Sequence, residues 1–139
     1  MSNIIQNAIL NKVGVPKFKS YLNLTSLRHK LISGNVANVL TPGYKAKDID
    51  FQKEFQRLKG TPLGVEGVTT NPRHIPLGMD KSRAPRILTN RKAPSNGVND
   101  VNIDKEMTSL ATNQISYTVA ARMLKNKFIG LRQALSGRK

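Results

Sequence analysis

A heptad pattern at the carboxyl end of the chain constrains its fold more than any other feature. The pattern alternates steps of four and three residues, the spacing of a helical seam that packs against another helix. Its positions are Ile103, Met107, Leu110, Gln114, Tyr117, Ala121, Leu124, Phe128, Leu131 and Leu135. A helix of this span is roughly 48 Å long at about 1.5 Å per residue, which is too long for a globule of this size to bury. Part of the seam must therefore face the amino-terminal helix or a partner.

The residues at the start of this pattern are typical of a helix amino terminus. Asn102 is predicted to cap the helix, and Asp104 and Glu106 fall in its first turn, where the helix dipole favours negative charge. Gln114 is a single polar residue within the seam. Such a residue more often fixes register or partner choice than contacts a ligand.

A second helical pattern lies near the amino end, where Pro16 suits the first turn of a helix. Its stripe comprises Phe18, Leu22, Thr25, His29, Ile32, Val36 and Val39. The helix is predicted to end near Val39, because the residue before Pro42 avoids the α region and Gly43 frees the backbone to turn. The position of His29 on this stripe predicts a hydrogen-bonded interface histidine rather than a metal ligand.

The middle of the chain excludes a long regular element. Residues 60–97 hold five of the ten glycines and five of the seven prolines. Short strands are the most that this composition allows, and residues 65–69 and 86–88 are the extended candidates.

These patterns together predict a mainly α-helical fold. The helices of residues 1–39 and 102–139 are expected to pair as one antiparallel, coiled-coil-like unit. Residues 40–101 are expected to form an extended arm and a loop-rich middle segment with room for short β-strands.

The net charge is strongly basic, at +15, which is typical of proteins that bind nucleic acid or anionic surfaces. The charge is nevertheless spread evenly. Residues 1–50, 51–102 and 103–139 hold 7 basic and 2 acidic, 9 and 4, and 7 and 2 side chains, so each part carries +5. With only three Tyr and four Phe, and no single basic stripe, a nucleic-acid-binding module stays the alternative rather than the leading hypothesis.

The sequence offers no catalytic constellation. There is no cysteine, and two histidines, His29 and His74, cannot supply a recognisable metal site. No glycine-rich phosphate loop and no nucleophile-elbow serine occurs. Asp48 and Asp50 alternate along an extended segment, but their basic neighbours favour a solvated acidic edge over an acid–base pair. We therefore expect a protein that is not an enzyme and needs no cofactor, metal or small-molecule substrate.

The amino terminus lacks the basic start, long apolar stretch and small-residue cleavage site of a secretory signal. The uncharged run at residues 107–121 holds too many polar residues to span a bilayer. We expect no transmembrane segment, and either a soluble chain or one exported without a cleaved signal.

The junction between the first helix and the middle segment is the most distinctive local motif. Asn35 and Asn38 close the helical pattern, and residues 41–44, Thr-Pro-Gly-Tyr, turn it into extended chain. Asparagine near a helix end can bond backbone groups of its own turn, and Thr41 those of the next. The residues allow two interpretations: they merely end the helix, or they hold a fixed exit angle for the segment that follows.

This junction resembles the signature of a known family. Residues 34–44, Gly-Asn-Val-Ala-Asn-Val-Leu-Thr-Pro-Gly-Tyr, resemble the amino-terminal motif of bacterial flagellar rod and hook proteins, with Gly34 in place of the usual Ser. Residues 45–51 are similar to the continuation found in the proximal-rod type. Residues 102–107 resemble the entry into that type's carboxyl-terminal helix, and residues 113–117 followed by 127–132 are similar to its closing stretch. The motif residues are Asn35, Ala37, Asn38, Thr41, Pro42, Gly43 and Tyr44.

The resemblance implies a structural subunit of the flagellar basal body, exported by the flagellar type III apparatus and assembled into the proximal rod in the periplasm. Expected partners are other rod subunits, the membrane-ring adaptor protein and copies of the chain itself. The terminal helices would line the tubular core of the rod. The expected assembly interface comprises Phe18, Leu22, Ile32, Val36, Leu110, Tyr117, Leu124, Phe128, Leu131 and Leu135.

Overall fold

The predicted mainly α-helical fold is confirmed by a computed structural model, which describes residues 10–60, 84–89 and 99–137. The described elements are, in chain order, α1 (Val15–Ala37), β1 (Lys47–Ile49), α2 (Phe51–Gly60), β2 (Ile87–Thr89) and α3 (Ile103–Ser136). Residues 10–13 are also helical and are separated from α1 by Gly14. The extended candidate at residues 65–69 lies outside the described residues, as do residues 1–9.

Helix α1 begins and ends close to where its sequence predicts. Gly14 precedes it in the left-handed conformation, with a φ of +83°, and Pro16 occupies its first turn. Its most buried side chains are Leu24, Thr25, Ile32 and Asn35. His29 is exposed in the single chain, so it does not pack within the chain, and its place in an interface with a partner stays a prediction. Helix α2 and β1 also pack on α1, and the buried face is turned away from His29 toward Leu24.

Helices α1 and α3 pack along one another over most of the length of α1. The Lys127 Nζ lies 5.9 Å from the centre of the Phe18 ring. Further along, the Asn113 side-chain amide donates to the Thr25 carbonyl at 3.0 Å. Near the end of α1, Asn35 donates to the Glu106 carboxylate at 3.0 Å. Residue numbers in these contacts therefore rise along α1 as they fall along α3.

The face that α3 packs against α1 differs by one residue from the predicted seam. The buried side chains of α3 are Asn113 and Ala120, seven residues apart, whereas Gln114 is exposed and Ala121 is half-buried. This shift of the buried face by one residue has a physical reason. The Asn113 side-chain amide donates a hydrogen bond to the Thr25 carbonyl, and Ala120 has a small side chain. The amino-terminal cap is as predicted, with the Asn102 side chain accepting from the Lys105 amide at 3.0 Å.

Helix α2 corrects the expectation of an extended arm at residues 51–60. Asp50 caps it by accepting from the Lys53 amide at 3.1 Å. Phe51 and Phe55 are one turn apart, and both rings pack edge-on against Tyr21, with centroid distances of 5.0 and 5.3 Å. The packing of these aromatic rings on α1 therefore stabilises a helix at residues 51–60, where the sequence predicts extended chain.

Strands β1 and β2 form a short antiparallel pair. The register places Lys47 opposite Thr89, Asp48 opposite Leu88 and Ile49 opposite Ile87. The extended structure predicted at residues 86–88 is thus confirmed to within one residue.

The first testable consequence concerns Gly34, which is helical and has room for a side chain. A Cβ at this position would lie 3.9 Å from the Tyr44 hydroxyl, an ordinary contact. Gly34→Ala should therefore raise the free energy of unfolding by about 0.5–1 kcal/mol, as measured by urea denaturation followed by far-UV circular dichroism.

Gly14→Ala is the matched control, because the φ of +83° is unfavourable for any side chain. It should lower the free energy of unfolding by about 1–2 kcal/mol. Equal effects of the two substitutions would contradict the assigned backbone conformations.

The second consequence concerns the cap of α2. Hydrogen bonds from the Lys53 side chain, and then from its backbone amide, lower the pKa of Asp50 below its ordinary value. A lowered pKa in the folded state means that the contribution of Asp50 to stability is complete above the ordinary carboxyl pKa. That contribution is lost as the pH falls through the lowered pKa.

Lys53→Met should raise the pKa of Asp50 toward its ordinary value while leaving the backbone hydrogen bond in place. The measurement is an NMR titration of the Asp50 carboxyl carbon in both proteins. An unchanged titration midpoint would show that the lysine side chain does not stabilise the carboxylate.

Candidate functional site

The candidate site is the joint between α1 and β1, formed by residues 34–48 and 99–106. Asn35 lies at its centre and is 1% exposed. Its side-chain nitrogen donates to the Lys47 carbonyl at 2.8 Å and to Glu106 Oε2 at 3.0 Å. Its side-chain oxygen accepts from the Lys47 amide at 2.9 Å and from the Tyr44 hydroxyl at 3.3 Å. One side chain therefore connects α1, β1 and the first turn of α3.

The turn after α1 is held by side chains rather than by the helix alone. Asn38 donates to the Gly34 carbonyl at 2.8 Å and accepts from the Thr41 hydroxyl at 3.1 Å. Asn99 Nδ2 donates to the carbonyls of Asn38, Val39 and Thr41 at 3.1, 2.6 and 3.1 Å. Three carbonyls of the turn after α1 thus gain a donor from a distant part of the chain, although those of Asn38 and Thr41 also accept from backbone amides of the turn.

Gly43 completes the reversal of the backbone with a φ of +70°. The Tyr44 amide donates to the Thr41 carbonyl at 3.3 Å, and its ring is half-buried. Ala37 and Pro42 are exposed. Among the predicted motif residues, Asn35, Asn38, Thr41 and Tyr44 are linked by side-chain hydrogen bonds.

The extended segment after the turn is held by ionic side chains. Asp100 Oδ1 accepts from the Ala46 amide at 2.7 Å, and its Oδ2 lies 3.8 Å from Lys45 Nζ. Arg28 donates from Nε and Nη2 to both oxygens of Asp48, at 2.9 and 2.8 Å. This paired geometry is the strongest that a guanidinium and a carboxylate can form.

The electrostatics of this pair favour its charged form. The hydrogen bonds to Asp48 raise the pKa of Arg28 above its ordinary value against the opposing effect of burial, and the nearby charges of Asp48 and Glu106 add to the rise. The predicted acidic edge keeps contact with solvent, since the side chains of Asp48 and Asp50 are 49% and 35% exposed, but Asp48 also pairs with α1 and Asp50 caps α2.

Residues that sequence reasoning did not assign to the joint are Arg28, Asn99, Asp100 and Glu106. Their partners lie 20 to 71 residues away along the chain, so no local spacing could reveal them. The one local signal is the Asn-Asp pair at residues 99 and 100, placed just before the helix cap.

The chemistry of the joint is that of a structural clamp. Within residues 10–60, 84–89 and 99–137, no group of three or more His, Cys, Asp or Glu side chains could hold a metal ion. Most side-chain polar groups of the joint are engaged in hydrogen bonds between segments, and the exception among the described residues is Asp100 Oδ2, which is buried without a hydrogen-bond partner and lies 3.8 Å from Lys45 Nζ. What this arrangement achieves is a defined angle between α1 and β1.

Several known proteins are similar in sequence to this chain over most of its length. The flagellar basal body rod protein FlgB of Bacillus subtilis is 30% identical over 125 residues, which cover 90% of this chain and 95% of that protein. FlgB of Salmonella typhimurium is 33% identical over 121 residues, covering 84% and 88%. FlgB of Cereibacter sphaeroides is 34% identical over 116 residues, again covering 84% and 88%.

The chain belongs to the flagellar basal body rod protein FlgB family. This confirms the resemblance carried by the junction motif and by the carboxyl-terminal helix. No protein-family model matches the chain. Within the described residues of this chain, no helix has both the length and the apolar character that crossing a membrane requires.

The third testable consequence concerns the central residue of this FlgB-family joint. Asn35→Ala removes the acceptor of the Lys47 amide, the donor to the Lys47 carbonyl and the donor to the Glu106 carboxylate. Leaving buried polar groups without partners should lower the free energy of unfolding by about 2–3 kcal/mol. Urea denaturation measures the change.

Asn23→Ala is the matched control, because Asn23 is exposed on the same helix. It isolates the gain in helix propensity that both substitutions share, at most about 0.7 kcal/mol. If Asn35→Ala were no more destabilising than this control, the clamp would not hold the fold together.

Proposed function

We propose that this chain is a structural subunit of the proximal rod of the bacterial flagellar basal body, where it forms part of the tube that transmits torque. Support comes from its membership of a family whose relatives are named flagellar basal body rod proteins. The observation that carries the proposal is the exposed apolar surface of α3.

Packing within a single chain leaves many apolar side chains of α3 exposed. Tyr117, Phe128 and Leu135 of the predicted seam are 41%, 45% and 80% exposed. Ile115 and Val119, which lie off the seam, are also exposed. By helical spacing, Tyr117, Phe128 and Leu135 lie on one side of α3, and Ile115 and Val119 lie on the other. Exposed apolar side chains that share a face mark protein interfaces, and each that becomes fully buried would contribute about 1.5–3 kcal/mol to assembly.

The paired helices would act as one unit in the rod. The opposite order of the contacts along α1 and α3 supports an antiparallel, coiled-coil-like pair. Within the proposed interface, one group packs at least partly inside the chain: Phe18, Leu22, Ile32, Val36, Leu110, Leu124 and Leu131. Tyr117, Phe128 and Leu135 are the side chains left for neighbouring subunits.

The joint would give each subunit a fixed shape. In a repeating tube, small errors in the angle between the helices and the following segment add up from one subunit to the next. A buried asparagine that holds both backbone groups of Lys47 is suited to prevent such errors.

The proposed neighbours are other rod subunits, the membrane-ring adaptor protein and copies of the chain itself. The proposed location is the periplasmic part of the basal body, reached through the flagellar export apparatus. No catalytic role, cofactor or small-molecule substrate forms part of the proposal. The alternative of a nucleic-acid-binding module is supported neither by the relatives nor by the geometry of the joint.

The fourth testable consequence follows from the exposed apolar surface. Phe128→Asp places a charge where a neighbouring subunit would bury an aromatic ring. The variant should be absent from purified basal bodies and should fail to restore motility to cells lacking the wild-type chain. Immunoblotting of basal bodies for a tagged chain, together with a swimming assay, measures both effects.

Asn126→Asp is the matched control, because it adds the same charge two residues away at an exposed polar position. It should assemble normally. Normal motility with Phe128→Asp would remove Phe128 from the interface, and absence of the tagged wild-type chain from basal bodies would refute the proposed function.

A further inference from the structure

An open apolar groove lies beside α1 on the carboxyl-terminal half of α3. Its volume is about 470 Å³. Its apolar lining comes from Leu22 of α1 and from Leu124, Phe128 and Ile129 of α3, and its basic lining comes from Lys125 and Arg132. A groove of this kind accepts the apolar side of another helix.

The two basic residues define the chemistry of the groove. Lys125 and Arg132 are seven residues apart, so they lie on one side of α3, about 10 Å apart along its axis. Phe128 and Ile129 lie between them in the chain. From Met107 to Gly137 the chain contains no acidic residue, although it also carries Arg122 and Lys127. Nothing within this part of α3 neutralises the groove.

A second copy of the chain is poorly suited to fill this groove. The described residues contain six acidic side chains: Asp48, Asp50, Glu54, Asp100, Asp104 and Glu106. All but Asp104 already accept hydrogen bonds or ion pairs from groups of their own chain. A copy would instead bring a net charge of +15 toward a basic surface, which like-charge repulsion opposes.

We propose that this groove binds an acidic amphipathic helix of a different protein. This inference rests on the proposed function, because it specifies the chemistry of one neighbour in the rod. The partner helix presents apolar side chains to Leu124, Phe128 and Ile129. Two carboxylates about two turns apart pair with Lys125 and Arg132. The basic excess of the chain thereby selects a heterologous neighbour over a copy.

The test uses the full-length chain and a fluorescent peptide of about 18 residues, long enough to form a helix when bound. One face of the peptide carries leucines, with two glutamates spaced seven residues apart between them. Matched peptides carry glutamine or lysine at those two positions. Fluorescence anisotropy should show binding of the glutamate peptide that weakens as salt is added, with weaker binding of the glutamine peptide and none of the lysine peptide.

Because a strongly basic protein attracts any acidic peptide, the decisive comparison is between two variants of equal charge. The groove variant Lys125→Glu/Arg132→Glu should bind the glutamate peptide at least about tenfold more weakly than wild type. The control variant Lys30→Glu/Lys105→Glu changes two exposed lysines outside the groove and should bind more tightly than the groove variant. Far-UV circular dichroism should show the same helix content in both.

Three results would overturn the proposal. Equal binding by the groove and control variants would reveal non-specific attraction to the basic chain. Equal affinity for the glutamine and glutamate peptides would reveal an apolar groove without charge selectivity. Dimerisation of the wild type that the groove variant loses, measured by sedimentation, would assign the groove to a second copy.

Failure of this proposal is distinguishable from failure of the proposed function. If only the groove assignment is wrong, the tagged wild-type chain is still found in basal bodies while peptide binding does not depend on Lys125 and Arg132. If the rod assignment is wrong, the tagged chain is absent from basal bodies whatever the peptide result.

Discussion

The buried amide of Asn35 is the interaction on which the rest of this structure depends. An asparagine without partners in this position would cost free energy, because its polar atoms are removed from water. Here both of its polar atoms are satisfied, by the Lys47 backbone, the Tyr44 hydroxyl and the Glu106 carboxylate. Asn35 of α1 therefore positions both β1 and the start of α3. Asn38 and Asn99 extend the same principle to the turn.

Features with a local physical cause could be predicted from the sequence. Pro16 in the first turn of α1, the cap at Asn102, the end of α1 and the two long helices follow from residue preferences within a few positions. The junction motif was recognisable for the same reason. The short helix α2 also has local signals, the Asp50 cap and the spacing of Phe51 and Phe55 by one turn, whereas the packing of both rings on Tyr21 depends on tertiary contacts that the sequence does not show. Likewise, a heptad pattern shows how often residues return to the same side of a helix, but not which side packs against the neighbouring helix. Here that side includes Asn113, which donates a hydrogen bond to the Thr25 carbonyl.

The distribution of charge acquires a simple explanation once the contacts are known. The few carboxylates lie mostly in the joint and at the start of α2, where they bind backbone amides, arginines and lysines of the same chain. The lysines and arginines outnumber them, so most of the basic side chains have no acidic counterpart in the chain. The carboxylates are thus paired within the chain, and the excess of lysines and arginines leaves the surface positively charged. Even spacing of basic residues in the sequence does not reveal this asymmetry.

The long separations within the joint also bear on the order of folding. Asn35 and Glu106 are 71 residues apart, and Asn99 and Asn38 are 61 apart. Closing such loops costs conformational entropy before the contacts form, so we expect these hydrogen bonds to form after the local helical ones. The bonds from Asn35 to Lys47 and from Arg28 to Asp48 need only the first 48 residues. The bonds of Asn99, Asp100 and Glu106 need the carboxyl-terminal third. The joint is therefore complete only when that third of the chain is available.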